Sequence, residues 1–443
     1  MVFVPALPGS GRSTLARSLA QTLAEAGNTV RSLSLRQTAD RQWLRNALHT
    51  LNANSPLHLV IDDAEWAALF PLLFRARSVG PSLRLICMVP EQVPPAVDVI
   101  THSKYRVGRF HGLSPRCLLQ ESPDSWPLMW NRGSLARSLA AESEQAGLAY
   151  RKRLILQQCL RNAPPRPTRP RRRSHEDIMI RIRRLSAEIK AAAELEEVIA
   201  GNPRLRRFYN PRSTDDATLP TFLSLAATAA GGVVNYSGLG RSYGVSHETA
   251  RAYTALLERA LLLELQPPYC PPSRKRLVRR PRLLFPDNGV LHAALGIESA
   301  DRLLEHIQAE SSWRNFVVSL VARTVRLPIS RLPFWSSHTG AWVDALWWPG
   351  ASGRTATSRV PPSGRPHAVL ATLEGNPGIT RIMRIARDDL DLERLWVVCP
   401  GNRSFDLDDR VRVLTIREFA TAELPAAHLA TAELPAAQTP TVC

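Results

Sequence analysis

The chain of 443 residues contains little lysine, few cysteines and no long apolar run. Only four of its 57 basic residues are lysine, so arginine carries almost all of the positive charge. None of the six cysteines stands in a Cys-x-x-Cys pair, which argues against a zinc site and suits a reducing compartment. No stretch reaches the roughly 18 apolar residues of a membrane helix, and no basic region precedes the apolar start. We therefore expect a cytoplasmic protein without a membrane span or a secretory signal.

Carboxylates are also in deficit, which gives a formal net charge of +18. Such an excess favours acidic partners such as nucleic acid, although an arginine-rich surface without a specific partner explains the same charge. At roughly 150 residues per domain, the length predicts about three domains.

Strands and helices alternate in the first segment of the chain. The stretch VFVPA reads as a buried strand, and a glycine-containing loop after it leads into a helix that ends at Gly27. Two further apolar strands, LHLVIDD and LRLICMVP, are separated by another helix. This alternation predicts an α/β domain built on a parallel sheet, in which ligands bind at the carboxyl ends of the strands.

The loop PALPGSGRSTL, residues 5–15, matches the phosphate loop G-x-x-x-x-G-K-[ST] with two departures. Backbone N–H groups and a helix N-terminus face the phosphates in such a loop. Ala6 replaces the first glycine, and its Cβ disfavours a positive φ. Arg12 replaces the lysine, which keeps the charge in a larger planar group. The expected residues for ATP are Gly9, Ser10, Gly11, Arg12, Ser13 and Thr14, with the Ser13 hydroxyl as a ligand for Mg²⁺.

A helix-turn-helix is predicted over NYSGLGRSYGVSHETARAYTALLERALL. One short helix runs through Leu239, Gly244 and Val245 form the turn, and Ser246 caps the second helix. The N-terminal residues of such a second helix meet base edges in DNA. The candidates here are His247, Glu248, Arg251 and Tyr253.

A run of basic residues follows this second helix and is dense enough to contact DNA phosphates as a wing. It consists of Arg274, Lys275, Arg276, Arg279, Arg280 and Arg282. A protein-binding module or a domain spacer is the alternative for the same pattern.

Two other stretches fall outside compact domains. Residues 162–215 combine a proline- and arginine-rich linker with one amphipathic helix. The C-terminal segment repeats ATAELPAAHL as ATAELPAAQT, which predicts a disordered tail. Between these stretches, RLLFPDNGVLH, WVDALWWP, HAVLATLE and RLWVVCPG predict a β-rich C-terminal part.

Together these motifs resemble those of prokaryotic AAA-type ATP-binding proteins whose C-terminal half is the domain of unknown function 4143. The resemblance rests on residues 233–269, KRLVRRPRLLFPDNGVLH, SSWRNFVV and HTGAWVDAL, with VGRF and WNRGSLARSL in the first half. It implies an α/β P-loop ATPase-like domain over residues 1–161, a winged helix over 216–295 and a restriction-endonuclease-like α/β domain over 296–418. Residues 162–215 fit it poorly, and residues 419–443 form the duplicated tail.

The resemblance also implies residues of an ATPase site. Asp62, at the end of LVIDD, is the expected carboxylate for Mg²⁺, and Asp63 stands where the family has a glutamate that polarises the attacking water. The Asp63 side chain is one methylene shorter, so we expect at most slow hydrolysis. Arg109 and Arg132 match arginines that reach the nucleotide, with surface salt bridges as the alternative for both.

The nuclease-like part lacks most of the residues with which such nucleases hold Mg²⁺, namely two acidic groups and a nearby lysine. Asp344 is present, but Arg314 occupies the place of an earlier glutamate, and Leu370 and Thr372 fall on the Glu-x-Lys positions. A register shift to Glu374 still supplies no lysine. We therefore expect Asp344 to be a structural remnant and expect no metal-dependent DNA cleavage.

Two functions remain open from the sequence. The first is an ATP-binding protein with a winged-helix module for DNA or a partner and a catalytically inactive nuclease-like domain. The second is a degenerate, pseudogene-like scaffold that binds no nucleotide. A nucleotide-dependent rise in melting temperature distinguishes them.

Overall fold

The computed structural model describes residues 1–50, 56–79, 82–94, 97, 105–108, 110, 112–113, 118–119, 121–162, 218–271, 277–349 and 364–425. Contacts divide the chain into two compact units. The first comprises Met1–Gly112, Cys159–Leu219 and Arg259–Leu261, and the second comprises Leu113–Gln158, Pro220–Glu258 and Leu262–Cys443. Of the expected linker, residues 162–215, only Asn162 is described. The expected disordered tail is wrong over residues 419–425, where Phe419, Ala420 and Leu424 are buried in the core, and its remaining residues 426–443 lie outside the described residues.

The first unit is built on a five-stranded parallel sheet in the order β2-β3-β4-β1-β5. The strands are β1 (Val2–Pro5), β2 (Val30–Ser34), β3 (Leu57–Asp62), β4 (Leu83–Val89) and β5 (Arg106–Val107). The helices are α1 (Arg12–Glu25), α2 (Thr38–Thr50) and α3 (Trp66–Val79). With β4 between β1 and β3, and a glycine loop between β1 and α1, this is the P-loop NTPase fold. The predicted α/β fold class is confirmed.

Each face of this sheet buries its own apolar cluster, because successive side chains of a strand point to opposite faces. Phe3 and Leu59 pack with residues of α3, and Val4 and Val60 pack with residues of α1. The predicted strands over β1, β3 and β4 are confirmed. The strand β2 was not predicted, because it is an edge strand in which only Leu33 is fully buried.

The second unit contains three helices between residues 126 and 162. They are α4 (Trp126–Arg132), α5 (Ala136–Leu139) and α6 (Glu144–Asn162), whose last turn belongs to the first unit. The expected ATPase domain over 1–161 stays a prediction, but in the structure its part from Leu113 to Gln158 packs with the C-terminal half.

Helices α7 (Thr218–Ala227), α8 (Tyr236–Tyr243) and α9 (His247–Arg259) follow, and then the antiparallel pair β6 (Glu264–Gln266) and β7 (Arg282–Leu284). Of this stretch, Pro220–Glu258 and the residues from Leu262 onward belong to the second unit. Helices α10 (Asn288–Leu295), α11 (Ala300–Glu305) and α12 (Ala309–Thr324) come next. The β-rich prediction for RLLFPDNGVLH is therefore wrong beyond Leu284. Asp287 caps α10 there by accepting a hydrogen bond from the Val290 N–H at 3.0 Å.

A five-stranded mixed sheet ends the second unit, in the order β10-β11-β12-β14-β13. Its strands are β10 (Ala345–Trp347), β11 (His367–Ala371), β12 (Arg394–Cys399), β13 (Phe405–Asp406) and β14 (Val411–Thr415). A hairpin of β8 (Trp335–Ser336) and β9 (Trp342–Val343) precedes it, and α13 (Arg381–Leu390) and α14 (Ile416–Thr421) complete it. Helix α12 packs on one face of the sheet and α13 on the other.

Two glycines allow α4 and α10 of the second unit to approach closely. Asp287 accepts hydrogen bonds from the N–H and the hydroxyl of Ser134 at 2.6 and 3.0 Å. A Cβ on Gly133 would collide with the Asp287 carboxylate, and a Cβ on Gly289 would collide with the carbonyl of Arg132. These contacts explain why the segment after Leu113 belongs to the second unit. Within the described ranges, no helix is both long and apolar enough to cross a bilayer.

Candidate functional site

The predicted phosphate loop connects β1 to α1 at the carboxyl edge of the parallel sheet. Gly9 and Gly11 have positive φ angles of 76° and 99°, and Gly11 directly precedes α1. Ala6 is buried without a positive φ, and its N–H donates to the Val89 carbonyl at 2.9 Å. The strain expected from replacing glycine at this position therefore does not arise.

Polar groups of the loop are compatible with a bound phosphate. The Ser10 hydroxyl is buried and has no hydrogen-bond partner among the described residues, although the Ser10 N–H donates to the Leu7 carbonyl at 3.2 Å. Ser13 and Thr14 are exposed in the first turn of α1. A buried hydroxyl without a partner is costly, so a phosphate oxygen or a water in the loop would stabilise it.

Arg12 folds back over the loop instead of pointing into solvent. Its residue is only 3% exposed, and its Nη1 lies 3.4 Å from the Ala6 carbonyl. Its Nη2 contacts the Asp63 carboxylate, and its Nε lies 3.7 Å from Oδ1 of Asp62. The cation expected at the phosphates is therefore paired with the two carboxylates at the end of β3.

Asp63 has a second arginine partner that sequence reasoning missed. Asp63 adopts a left-handed backbone with φ of 51°, and its Oδ2 lies 2.6 Å from Nε of Arg36. Arg36 follows β2, and its side chain is 72% exposed. The two residues meet because β2 pairs with β3 in a register that aligns Ser34 with Asp62. Since β2 was not predicted, no signal in the sequence linked residue 36 to the site.

The resemblance also implies two more arginines at the nucleotide, Arg109 and Arg132. Arg109 lies outside the described residues. Arg132 belongs to the second unit, where its Nη1 donates to the Ala141 carbonyl at 2.8 Å. A nucleotide contact by either residue stays a prediction.

The predicted pair of helices around Gly244 is confirmed. Asn235 caps α8 by accepting a hydrogen bond from the Gly238 N–H at 3.1 Å, and Gly244 ends the helix with φ of 79°. The Ser246 hydroxyl accepts from the Thr249 N–H at 3.2 Å and caps α9. Short polar side chains at these positions bind the N–H groups that a helix leaves unpaired at its start.

Three of the predicted DNA-contacting arginines are on the surface. Arg251 on α9 is exposed, and so are Arg279 and Arg280 before β7. Lys275 and Arg276 lie outside the described residues. A DNA contact by the exposed arginines stays a prediction.

One predicted DNA contact, that of Arg282, is wrong. Arg282 is only 6% exposed, since its Nη1 donates to Oδ1 of Asp344 at 2.8 Å and its guanidinium covers the ring of Phe334. Its guanidinium cannot reach a nucleic acid while it is packed in this way. Tyr253 packs edge-on against Phe222 and is partly buried, so a DNA contact by Tyr253 stays a prediction.

The segment between β6 and β7 lies along the hairpin β8–β9. The Tyr269 N–H donates to the Phe334 carbonyl at 2.6 Å, and the Val278 N–H donates to the Ser336 carbonyl at 3.0 Å. The expected wing is therefore held against the C-terminal part over much of its described length.

Asp344 is completely buried between β9 and β10 and forms a centre with two arginines. Its Oδ1 lies 2.8 Å from Nη1 of Arg282 and 2.9 Å from Nε of Arg314. Its Oδ2 accepts from the Ala371 N–H at 2.9 Å, and the Gln266 amide donates to its carbonyl at 2.7 Å. Guanidinium groups therefore neutralise this carboxylate, as would a metal ion.

The expected Glu-x-Lys positions do not face Asp344. Val369 and Ala371 point toward α12, which carries one of the two arginines, whereas Leu370 packs in the cluster on the other face. Thr372 lies beyond the end of β11. The placement of the Glu-x-Lys positions on Leu370 and Thr372 is therefore wrong. The residues of β11 on the face toward α12, Val369 and Ala371, are apolar.

Comparison with protein families gives one match. A model of the domain of unknown function 8612 matches residues 208–301. This span includes the helix-turn-helix and α10, and it excludes the phosphate loop. The matched family is thus domain 8612 and not domain 4143, which corrects the expected resemblance over this span.

Two curated relatives match the chain, and both carry the name "uncharacterized protein". They are Rv2008c of Mycobacterium tuberculosis and Mb2031c of Mycobacterium bovis, each 31% identical over 195 residues. The match covers 44% of this chain and 41% of each relative. The chain thus spans less than half the length of these relatives.

Among solved structures, three mutants of RuvB from Thermotoga maritima match 60% of this chain and 82% of their own. Identity is 16–17%, and the TM-scores are 0.22 and 0.24. Scores this low do not establish a shared fold. The fold assignment rests on the strand order and the loop described above.

Proposed function

We propose that the first unit binds the phosphates of a nucleoside triphosphate, with ATP and Mg²⁺ as the expected ligands. The observation that carries the proposal is the loop between β1 and α1, in which Gly9 and Gly11 adopt positive φ at the carboxyl edge of a parallel sheet. Backbone N–H groups of such a loop, together with a helix N-terminus, stabilise phosphate charge.

The residues of this edge suggest a division of roles. The Ser13 hydroxyl and Asp62 would hold Mg²⁺, which neutralises phosphate charge, while the loop through Thr14 and Arg12 would hold the phosphates. Hydrolysis should be slow, because Asp63, the expected base, is engaged by two arginines.

Mg-ATP is expected to raise the melting temperature of the wild-type protein by a few degrees. A ligand at ten times its Kd stabilises the folded state by about 1.4 kcal/mol. Arg12→Lys should increase the shift, because lysine cannot keep all the contacts that hold the guanidinium against Ala6 and the carboxylates. Ala6→Gly should add little, since Ala6 is unstrained. Differential scanning fluorimetry measures these shifts.

A shift in Arg12→Lys without one in the wild type would identify the loop as a relic. No shift in either protein would reject nucleotide binding and leave the degenerate scaffold as the better description.

We propose DNA contact as a second function, through a winged helix formed by α7–α9 and the pair β6–β7. The proposal is supported by the capped helix-turn-helix and by the exposure of Arg251, Arg279 and Arg280. Glu248 forms a pair with His247 at 3.2 Å at the start of α9, which weakens the positive potential there. We therefore expect phosphate contacts without strong sequence preference.

Replacing Arg279 and Arg280 with alanine should flatten the salt dependence of DNA binding. Each lost phosphate contact changes the slope of log K against log salt by about 0.9, so the slope should fall by nearly two units. Arg302→Ala combined with Arg384→Ala removes two exposed charges of the same unit elsewhere and serves as the control. Fluorescence anisotropy with a duplex measures the slope.

The linker arginines 171–173 are a competing source of the same signal and need a parallel deletion. Binding that survives the Arg279/Arg280 change but disappears with that deletion would place the DNA contact outside the winged helix.

We further propose that the C-terminal sheet is a restriction-endonuclease-like fold without nuclease activity. The proposal is supported by the guanidinium groups of Arg282 and Arg314 on Asp344 and by the apolar residues on the facing part of β11. A metal-binding site of this kind needs at least a second acidic group. The sheet then acts as the support for the winged helix, since β7 supplies Arg282.

A further inference from the structure

Four charged side chains meet beside the glycine loop of the first unit. Arg12 contacts Asp62 and Asp63, and Arg36 contacts Asp63. Their formal charges cancel, so the loop gains no net positive charge from its own arginine. This distinguishes the site from a phosphate loop in which the cation points at the ligand.

We propose that Asp63 is an internal competitor of phosphate for Arg12, so that the Arg12–Asp63 ion pair inhibits nucleotide binding. The proposal rests on the phosphate-binding function proposed above. It assigns Asp63 an effect on affinity, in addition to any part in hydrolysis.

The contacts of Arg12 indicate that phosphate and Asp63 compete for its guanidinium and do not bind it at the same time. The Arg12 side chain is 4% exposed, and its guanidinium is shared among a loop carbonyl and two carboxylates. A buried guanidinium that exchanges a carboxylate for a phosphate leaves that carboxylate uncompensated, which opposes the exchange. Phosphate binding through Arg12 must therefore disrupt the pair with Asp63.

Arg36 opposes this inhibition. It neutralises Asp63 from the solvent side, since its own side chain is 72% exposed. Arg36 therefore remains as a partner for Asp63 when Arg12 is drawn to phosphate. Without Arg36, Asp63 would hold Arg12 more strongly, and phosphate would bind more weakly.

These roles predict opposite effects of two substitutions on the affinity for Mg-ADP, measured by isothermal titration calorimetry on the full chain. Asp63→Asn removes the competing charge and tolerates the left-handed backbone, because asparagine adopts this conformation readily. We expect about tenfold tighter binding. Arg36→Ala should weaken binding severalfold.

The double variant Asp63→Asn/Arg36→Ala separates competition from net charge. It has the same formal charge as the wild type, but Arg12 no longer has a competing partner at residue 63. Competition predicts that it binds more tightly than the wild type. Glu25→Gln removes one exposed carboxylate from α1 and should leave the affinity unchanged.

Equal affinity of the double variant and the wild type would overturn the proposal, because net charge would then explain both single changes. Binding by the wild type without tightening in Asp63→Asn would also overturn it, while the proposed nucleotide function would stand. If neither the wild type nor Asp63→Asn binds Mg-ADP, the proposed function and this inference fail together.

Discussion

Replacing Asp344 with asparagine is expected to lower the free energy of unfolding of the second unit by about 3 kcal/mol or more. Asp344 is fully buried and neutralises the guanidinium groups of Arg282 and Arg314, which are themselves largely buried. Asparagine keeps the shape of the side chain but leaves both cations uncompensated. Urea unfolding followed by tryptophan fluorescence measures the change, since Trp335 and Trp347 lie in the adjacent clusters.

A matched control exists on the surface of the same unit. Asp391 also contacts two arginines, Arg365 at 3.0 Å and Arg410 at 3.3 Å, but its side chain is 63% exposed. Water screens exposed ion pairs, so Asp391→Asn should cost less than about 1 kcal/mol. Similar losses of unfolding free energy for Asp344→Asn and Asp391→Asn would show that burial does not strengthen the ion pairs of Asp344.

Acidification from pH 6.5 to pH 4 is expected to destabilise the second unit by about 3 kcal/mol through His292. The pKa of His292 is lowered from 6.5 to about 4, mainly by burial and to a smaller extent by the positive charges of Arg151 and His306. A hydrogen bond to the Asn131 carbonyl opposes these effects on the pKa but does not cancel them. The folded protein therefore keeps this ring neutral in a pH range where the unfolded chain protonates it.

The hydrogen bonds of His292 explain why the folded protein disfavours a second proton on the imidazole ring. Nδ1 lies 2.8 Å from the Asn131 carbonyl and must donate, so Nε2 accepts from the Ser312 hydroxyl at 2.6 Å. The same hydroxyl already accepts from Nε1 of Trp130 at 2.9 Å and from Nδ2 of Asn288 at 3.1 Å. A second proton on the ring would face an oxygen whose accepting capacity is in use.

The sign of the pH effect follows from the direction of the shift. Because the pKa of His292 is lower in the folded state, its contribution is complete above pH 6.5 and is lost as the pH falls toward 4. Burial also lowers the pKa of His58 and of His367, so these residues also destabilise the folded protein as the pH falls. The contribution of His292 is therefore obtained from the difference in the free energy of unfolding between the wild type and His292→Asn at each pH.

Urea unfolding at pH 7 and pH 4.5 tests this expectation. His292→Asn should be less stable at pH 7 and should depend less on pH. His338→Gln, at an exposed position, should follow the wild-type profile. A pH profile of His292→Asn parallel to that of the wild type would contradict the assignment.

Much of the first unit was predictable because its signals are local. Buried parallel strands read as apolar runs, and Gly9, Gly11 and Ser13 mark a loop between a strand and a helix. The caps of α8 and α9 were also readable, since Ser246 binds an N–H group only three residues away. Interactions of this range need no knowledge of the remaining chain.

The errors concern residues whose role depends on distant partners. Arg282 looked like a surface cation in a basic run, but its carboxylate partner is 62 residues away at Asp344. Leu370 was expected at a Glu-x-Lys position, but it lies on the face of β11 opposite to that of Val369 and Ala371, because one residue reverses the face of a strand. Arg36 was missed because its edge strand has no apolar pattern.

By itself, the sequence determined the α/β class, the glycine loop, the helix-turn-helix and the excess of positive charge, because each follows from spacing, local hydrogen bonding or composition. Only the tertiary structure decided how the charges are used. It paired Arg12 with Asp63 and Arg282 with Asp344, and it left Arg251, Arg279 and Arg280 in solvent. The reason is that the interaction of a charge depends on its distance to other charges and on its burial, and both are set by the packing of elements far apart in the chain.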